Sequence, residues 1–223
     1  YALRKRNIKC FLIDKSSKLG NGASGNKVAL QMPKLTLDES PYGLLSLEAF
    51  SYSRKLAREL NSVPRSNGLI LIPSREREII KFKKLLNNDW PLELLDNRTS
   101  KLQILKKIDY LYMKSSGIID NKKFINNLVG DIEFISNFNV KNIETNKNGY
   151  KTITDEYGNK LQARTVIWAN GYEMLDLNKK TPITPTSGQV TYLKKTNLTS
   201  NLKVNFSYGH FISQAYKGYH QIG

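Results

Sequence analysis

Two short apolar runs limit what this chain can become. Cys10-Phe11-Leu12-Ile13 is closed by Asp14, and Thr165-Val166-Ile167-Trp168-Ala169 is closed by Asn170-Gly171. Apolar runs of this length that stop at a carboxylate or a glycine turn have the pattern of parallel strands buried on both faces. Such strands need helices to cover them, and the intervening sequence supplies the pattern. Residues 42–61 space Leu45, Ala49, Tyr52, Leu56 and Leu60 by threes and fours, which predicts a helix that starts at Ser40-Pro41 and buries that face.

A second helix is predicted over 75–86, and a third over 122–128 with Asp120 as its N-cap. Residues 1–7 read as the end of a helix. Strands are predicted at 68–72, 110–113, 132–135, 140–144 and 150–154, with a turn at Tyr157-Gly158-Asn159. Beyond Pro182, alternation in 188–193, 204–208 and 211–219 predicts antiparallel β-structure. The switches between parallel-type and antiparallel-type segments imply two interwoven domains.

Lys+Arg 35 against Asp+Glu 19 gives a net charge of +16. A polyanion such as RNA is electrostatically favoured, although lysines spread over a solvated surface would give the same sum. With Cys10 as its one thiol and two histidines, the chain has neither a disulfide framework nor a zinc-type cluster, so no metal is expected. Cys10, inside an apolar run, reads as a buried structural thiol. No run of ~18 apolar residues and no signal-type opening is present, so the reading is a cytoplasmic protein with no membrane partner.

Asp14 occupies the place where dinucleotide-binding folds put an acid to accept hydrogen bonds from ribose hydroxyls. The glycine fingerprint of such folds would lie about 20 residues upstream, before Tyr1. Beginning six residues after Asp14, Gly20-Asn21-Gly22-Ala23-Ser24-Gly25-Asn26 is a run of small residues whose backbone can approach phosphates or a flavin closely. A plain surface turn is the alternative.

The string Gly22-Ala23-Ser24-Gly25-Asn26, followed by Met32-Pro33-Lys34-Leu35, resembles the FAD-binding oxidoreductase domain of the tRNA 5-methylaminomethyl-2-thiouridine biosynthesis family, a branch of the D-amino-acid-oxidase-like flavoproteins. Ser116-Gly117-Ile118-Ile119-Asp120, Val166-Ile167-Trp168-Ala169-Asn170-Gly171 and Pro185-Thr186-Ser187-Gly188-Gln189-Val190 resemble further segments of that family, in order along the whole chain. The resemblance implies an α/β fold. A Rossmann-like FAD-binding domain, 1–34 and 115–172, would be interleaved with a substrate domain of antiparallel sheet plus helices, 35–114 and 173–223. It also implies that the chain is a stretch of a longer protein, lacking the glycine fingerprint and the segment that completes the flavin site.

By the same resemblance FAD is the cofactor. Asp14 would meet the adenosine ribose, Ala23, Ser24, Gly25 and Asn26 the pyrophosphate or flavin side, and Val140 the adenine. Ala169 and Gly171 would approach the dinucleotide from beneath, while Gly188 and Gln189 return to the flavin. Lys34, Tyr208 and His210 are the substrate-side residues; no catalytic residue is assigned. His210 and His220 are both candidates by type for tuning the substrate amine, although a histidine in a β-segment is more often structural. The implied partner is the anticodon loop of tRNA, with a methyltransferase domain fused or separate. The implied reaction removes the carboxymethyl group from carboxymethylaminomethyluridine by oxidation at the carbon beside the amine. Two other readings stand: a small-molecule amine or amino-acid oxidase of glycine or sarcosine type, and a basic RNA-binding module without redox activity. Lys34 and some of Lys179, Lys180, Lys194 and Lys195 are expected toward a substrate-side rim.

Overall fold

The computed structural model describes residues 1–37, 40–64, 68–87, 94–95, 110–177, 180 and 182–223. Lys106, Lys107 and Lys179 lie outside them. In chain order the elements are α1 (Ala2–Lys5), β1 (Phe11–Ile13), β2 (Val28–Gln31), α2 (Pro41–Glu59), β3 (Leu69–Leu71), α3 (Glu76–Leu86), β4 (Leu111–Met113), β5 (Gly117–Asp120) and α4 (Asn121–Val129). Then follow β6 (Glu133–Ile135), β7 (Val140–Thr145), β8 (Lys151–Asp155), β9 (Lys160–Ala163), α5 (Met174–Leu177), β10 (Thr191–Lys194), β11 (Asn205–Tyr208), β12 (His210–Ile212) and β13 (Tyr219–Ile222).

The chain divides into two compact units: Tyr1–Asn21 with Val129–Gly188, and Gly22–Leu128 with Gln189–Gly223. The first change of unit thus falls near residue 21, so Gly22 to Lys34 travel with the second unit. In the first unit β1 runs parallel to β6, Leu12 opposite Phe134, as the apolar run 10–13 predicts. β7, β8 and β9 form an antiparallel meander around buried Ile153. Asp155 shapes its second turn: Oδ1 accepts from the backbone of Tyr157 and Asn159, and Oδ2 from the Asn159 amide. The run 165–169 departs from expectation. It enters no β-ladder among the described residues, and Ile167 and Trp168 are 69% and 41% exposed. Apolar side chains make a strand only where a neighbour offers its backbone donors and acceptors, and no described strand pairs with this run. Cys10 is half-buried and free.

In the second unit six strands run in the order β10-β13-β12-β11-β3-β4, beside a β2–β5 antiparallel pair. The sheet is mixed rather than antiparallel throughout, because β11 lies parallel to β3. The two strands are joined by a long stretch of chain, which leaves either direction open to β11. Leu35, Leu69, Phe82, Leu85, Leu95, Leu111 and Met113 form the core of this unit.

Helix α2 has the predicted extent and start, with the Ser40 hydroxyl accepting from the Gly43 N–H at 3.3 Å. Its buried face is a different one. Gly43, Phe50, Arg54 and Ala57 turn inward, whereas Leu45 and Tyr52 are 67% and 66% exposed. The reason is close approach. A Cβ on Gly43 would sit 2.1 Å from the Thr36 hydroxyl, so only glycine lets the helix pack against that segment.

Candidate cofactor site

In the first unit the site begins where β1 ends. Asp14 extends the parallel ladder, its N–H donating to Ile135 O at 3.1 Å and its C=O accepting from Phe138 N at 3.0 Å. Its exposed carboxylate is oriented by one bond, Oδ1 accepting from the Ser16 N–H at 2.8 Å. Oδ2 accepts from nothing among the described residues. A strand-end carboxylate fixed on one oxygen and open on the other can take ribose hydroxyls.

The turn at Ala169-Asn170-Gly171 is carried to the same end of this unit. Lys15, next to Asp14, pairs its Nζ with Glu173 Oε1 at 2.5 Å, and that hydrogen bond raises the lysine's pKa. Gly171 has φ +61, and a Cβ there would meet nothing within 4 Å. Its requirement is therefore conformational, and the space above the turn is open. Val140 is half-buried at the start of β7, where a bulge separates it from Asn142. Gly188 is exposed, again with open space where a Cβ would stand.

In the second unit Ala23–Gly25 makes one 3-10 turn, closed by Gly25 N–H to Gly22 O at 2.8 Å. Ala23, Ser24 and Gly25 are exposed and Asn26 half-buried. The exit of the turn is held from several sides. Tyr192 Oη donates to Asn26 Oδ1 at 3.4 Å and accepts from Lys27 N at 3.2 Å. The Lys27 ammonium lies 3.9 Å from the Tyr219 ring centre and 4.8 Å from that of Tyr192. Buried Gln221 copies a strand partner for Val28, accepting from its N–H at 3.2 Å and donating to its C=O at 2.9 Å.

Lys34 is exposed, its N–H held by Ser46 Oγ at 2.7 Å and its ammonium 4.9 Å above Tyr42. Gln189 is exposed just before β10. Tyr208 and His210 face each other across Gly209 at an exposed hairpin tip. His220 is buried between Ser213 O at 2.8 Å and Thr199 Oγ1 at 2.9 Å, a structural setting. Lys180, Lys194 and Lys195 are exposed.

Other linking residues escaped sequence reasoning. Lys15 and Glu173 are 158 positions apart, and nothing in either neighbourhood marks the pair. Asp120 does more than cap α4 through Lys123 N at 3.1 Å: it accepts from Tyr216 Oη at 2.6 Å and from Lys217 Nζ at 2.9 Å. Burial works to raise this carboxyl's pKa, but the hydrogen bonds from Tyr216, Lys123 and Lys217 outweigh it and hold it below the ordinary value.

The family described as FAD dependent oxidoreductase matches residues 1–223. The chain belongs to that family. It is 25% identical over 238 residues to the tRNA 5-methylaminomethyl-2-thiouridine biosynthesis bifunctional protein of Legionella pneumophila strain Corby, covering 100% of this chain and 34% of the relative. The protein of the same name from Shewanella baltica strain OS195 is 24% identical over 247 residues, again 100% and 34%. The chain thus spans about a third of the length of the curated relatives it matches. Among solved structures, glycine oxidase from Bacillus cereus ATCC 14579 superposes with a TM-score of 0.72 at 18% identity, covering 100% of this chain and 66% of that one. Glycine oxidase from Geobacillus kaustophilus gives 0.71 at 17%, covering 99% and 65%. The expected mixed α/β fold of this family is therefore the fold observed.

FAD is this family's cofactor, and the residues present suit one. The open Asp14 oxygen, the unobstructed Gly171 turn and the exposed small-residue turn at Ala23–Gly25 are the kinds of surface a dinucleotide needs. No described group of His, Cys, Asp and Glu could hold a metal ion, and no helix among the described residues is long and apolar enough to cross a membrane.

Proposed function

We propose that this chain is the oxidoreductase part of a cytoplasmic enzyme that removes the carboxymethyl group from carboxymethylaminomethyluridine, with or without the 2-thio group, in the anticodon loop of tRNA. The supporting observation is end-to-end similarity, over 238 and 247 aligned residues, to two proteins named for this tRNA pathway. The net charge of +16 fits a polyanionic substrate. The bifunctional name of those relatives leads us to propose a methyltransferase partner, fused or separate.

When bound, FAD supplies two-electron oxidation of a carbon–nitrogen bond. In our reading Asp14 binds the ribose, Ala23 to Asn26 approach the pyrophosphate or flavin side, and Val140 lies by the adenine. Ala169 and Gly171 support the dinucleotide, with Gly188 and Gln189 at the flavin. We read 1–34 and 115–172 as the FAD-binding domain and 35–114 and 173–223 as the substrate domain, with Gly188 and Gln189 of the latter returning to the flavin and Lys34 of the former reaching the substrate side. The carbon beside the substrate amine loses a hydride, water adds to the resulting imine, and the carbon–nitrogen bond breaks to leave aminomethyluridine and glyoxylate. Lys34, Tyr208 and His210 are exposed and so available to an RNA-borne group: Lys34 to a carboxylate or phosphate, Tyr208 to stack on an unpaired base, His210 to hold the amine unprotonated.

The glycine oxidase fold favours a second reading, a small-molecule amine or amino-acid oxidase. Nucleoside analysis separates them. Incubated with tRNA bearing the carboxymethylaminomethyl group, the holoenzyme is expected to yield aminomethyluridine; unchanged nucleosides together with turnover of glycine or sarcosine would establish the second reading.

A further inference from the structure

Arg54 is a buried cation that the proposed chemistry does not use. It lies on the inward face of α2 with 3% of its surface exposed. Its Nη1 donates to Gln31 Oε1 at 3.2 Å and to Ile118 O at 3.4 Å. Nε is buried and has no acceptor, and Nη2 donates to nothing among the described residues. Nε and Nη2 share the guanidinium edge whose two N–H bonds point the same way, the edge that grips a planar or tetrahedral oxyanion with paired hydrogen bonds. A buried donor left without an acceptor costs stability, so native proteins seldom keep one.

This side chain lines a cavity of about 510 Å³ within the second unit, together with Arg58, Asn61, Val63, Pro64, Tyr112 and Lys114. Among the described residues the lining holds three cations and no acid. A cation in the last turn of a helix has an ordinary explanation in the helix dipole, and that accounts for Arg58. It does not account for Arg54, a turn deeper and buried, nor for Lys114, which follows β4. Loss of solvent and the neighbouring Arg58 push the Arg54 pKa down to about 10, as befits a positive charge with no counter-charge among the described residues.

We infer that this cavity is a binding site for a phosphate oxyanion, gripped by the free edge of Arg54 and neutralised by Arg58 and Lys114. Three cations exceed what one carboxylate would balance. The volume lies within the range of small-ligand pockets and leaves room for whatever the phosphate is attached to. Its source is either a phosphodiester of an RNA strand or a free phosphate compound. The assignment does not depend on the redox reading, because neither flavin content nor turnover enters its test.

Arg58 and Lys114 are exposed, so their replacement spares the fold. The test measures Tm of the holoprotein against inorganic phosphate at constant ionic strength, with chloride as the balancing salt. The wild-type Tm is expected to rise and saturate. In the Arg58→Gln/Lys114→Gln double variant, the half-saturating phosphate concentration should increase about tenfold or more, with Tm in chloride unchanged. Arg54→Lys, which keeps the charge and loses the paired edge, should weaken the response too; if it does not fold, the double variant decides. An oligoribonucleotide that half-saturates well below phosphate, and loses that advantage in the double variant, identifies a strand as the source. Phosphate binding that RNA does not match identifies a free phosphate compound. No rise beyond that in chloride, or an equal rise in the double variant, would overturn the assignment.

Discussion

The two units are built on different balances of packing. Among its described residues the second buries fourteen apolar side chains, including Leu69, Ile70, Leu111, Met113 and Ile118. Among the described residues of the first, only Phe138 and Ile153 are buried apolar groups, while Ile8, Leu12, Ile167, Trp168 and Tyr172 are exposed. The unit carrying Asp14 and Gly171 thus has little apolar core of its own. A parallel pair such as β1–β6 is ordinarily covered on both faces, and here Leu12 is 36% exposed. A region so lightly packed gains much of its order from what binds it.

The sharpest way to break this contrast is by truncation. Leu69→Ala in the second unit should cost about 2–5 kcal/mol in denaturant unfolding, and Leu12→Ala in the first about 1 kcal/mol or less. Equal losses would mean the units do not differ as described. Next in size is Asp14→Ala, which would remove the proposed charge-assisted bonds to the ribose, worth about 1.5–3 kcal/mol. FAD affinity should fall about tenfold to a hundredfold with unfolding of the second unit unchanged, and equal flavin occupancy by absorbance would remove Asp14 from the site.

Asp120→Asn keeps a cap and an acceptor for Tyr216 but loses the charge facing Lys217, a loss of about 1 kcal/mol at neutral pH. Because the folded-state pKa of Asp120 is depressed, its contribution is present above the ordinary aspartate value of about 3.9 and disappears as pH falls through the folded value. Wild type and variant should therefore converge in acid, and a constant gap between their pH-stability curves would contradict this. Smallest of all is Lys15→Gln, whose partner Glu173 sits in the turn after Gly171. It should speed amide exchange in the 169–173 turn and leave exchange in Leu69–Leu71 as it was.

Much of the fold was legible in local pattern. The run ending at Asp14 is a parallel strand, Asp120 caps α4, and α2 starts at Ser40-Pro41 as read. The face of α2 was not, because hydropathy counts Leu45 and Tyr52 as inward. It gives little weight to Gly43 and Ala57, small enough to allow close approach, and none to an arginine drawn inward by bonds from its Nη1 to Gln31 and a backbone carbonyl. The run 165–169 misled for a related reason, since its composition specifies a partner strand without supplying one. In the candidate site, the turn glycine at 171 could be read because its positive φ favours glycine. The Lys15–Glu173 and Asp120–Lys217 links could not, being set by long-range packing. The Asp120–Lys217 pair joins residues 97 positions apart.

Anaerobic reduction of bound FAD tests most directly the proposed oxidation of an amine presented on tRNA. Mixed without oxygen with tRNA carrying the carboxymethylaminomethyl group, the holoenzyme should lose its flavin absorbance, and the rate should fall steeply with salt as phosphate contacts are screened. Free glycine and sarcosine should leave the absorbance unchanged over the same time. Bleaching by glycine or sarcosine with none by the tRNA would contradict the account.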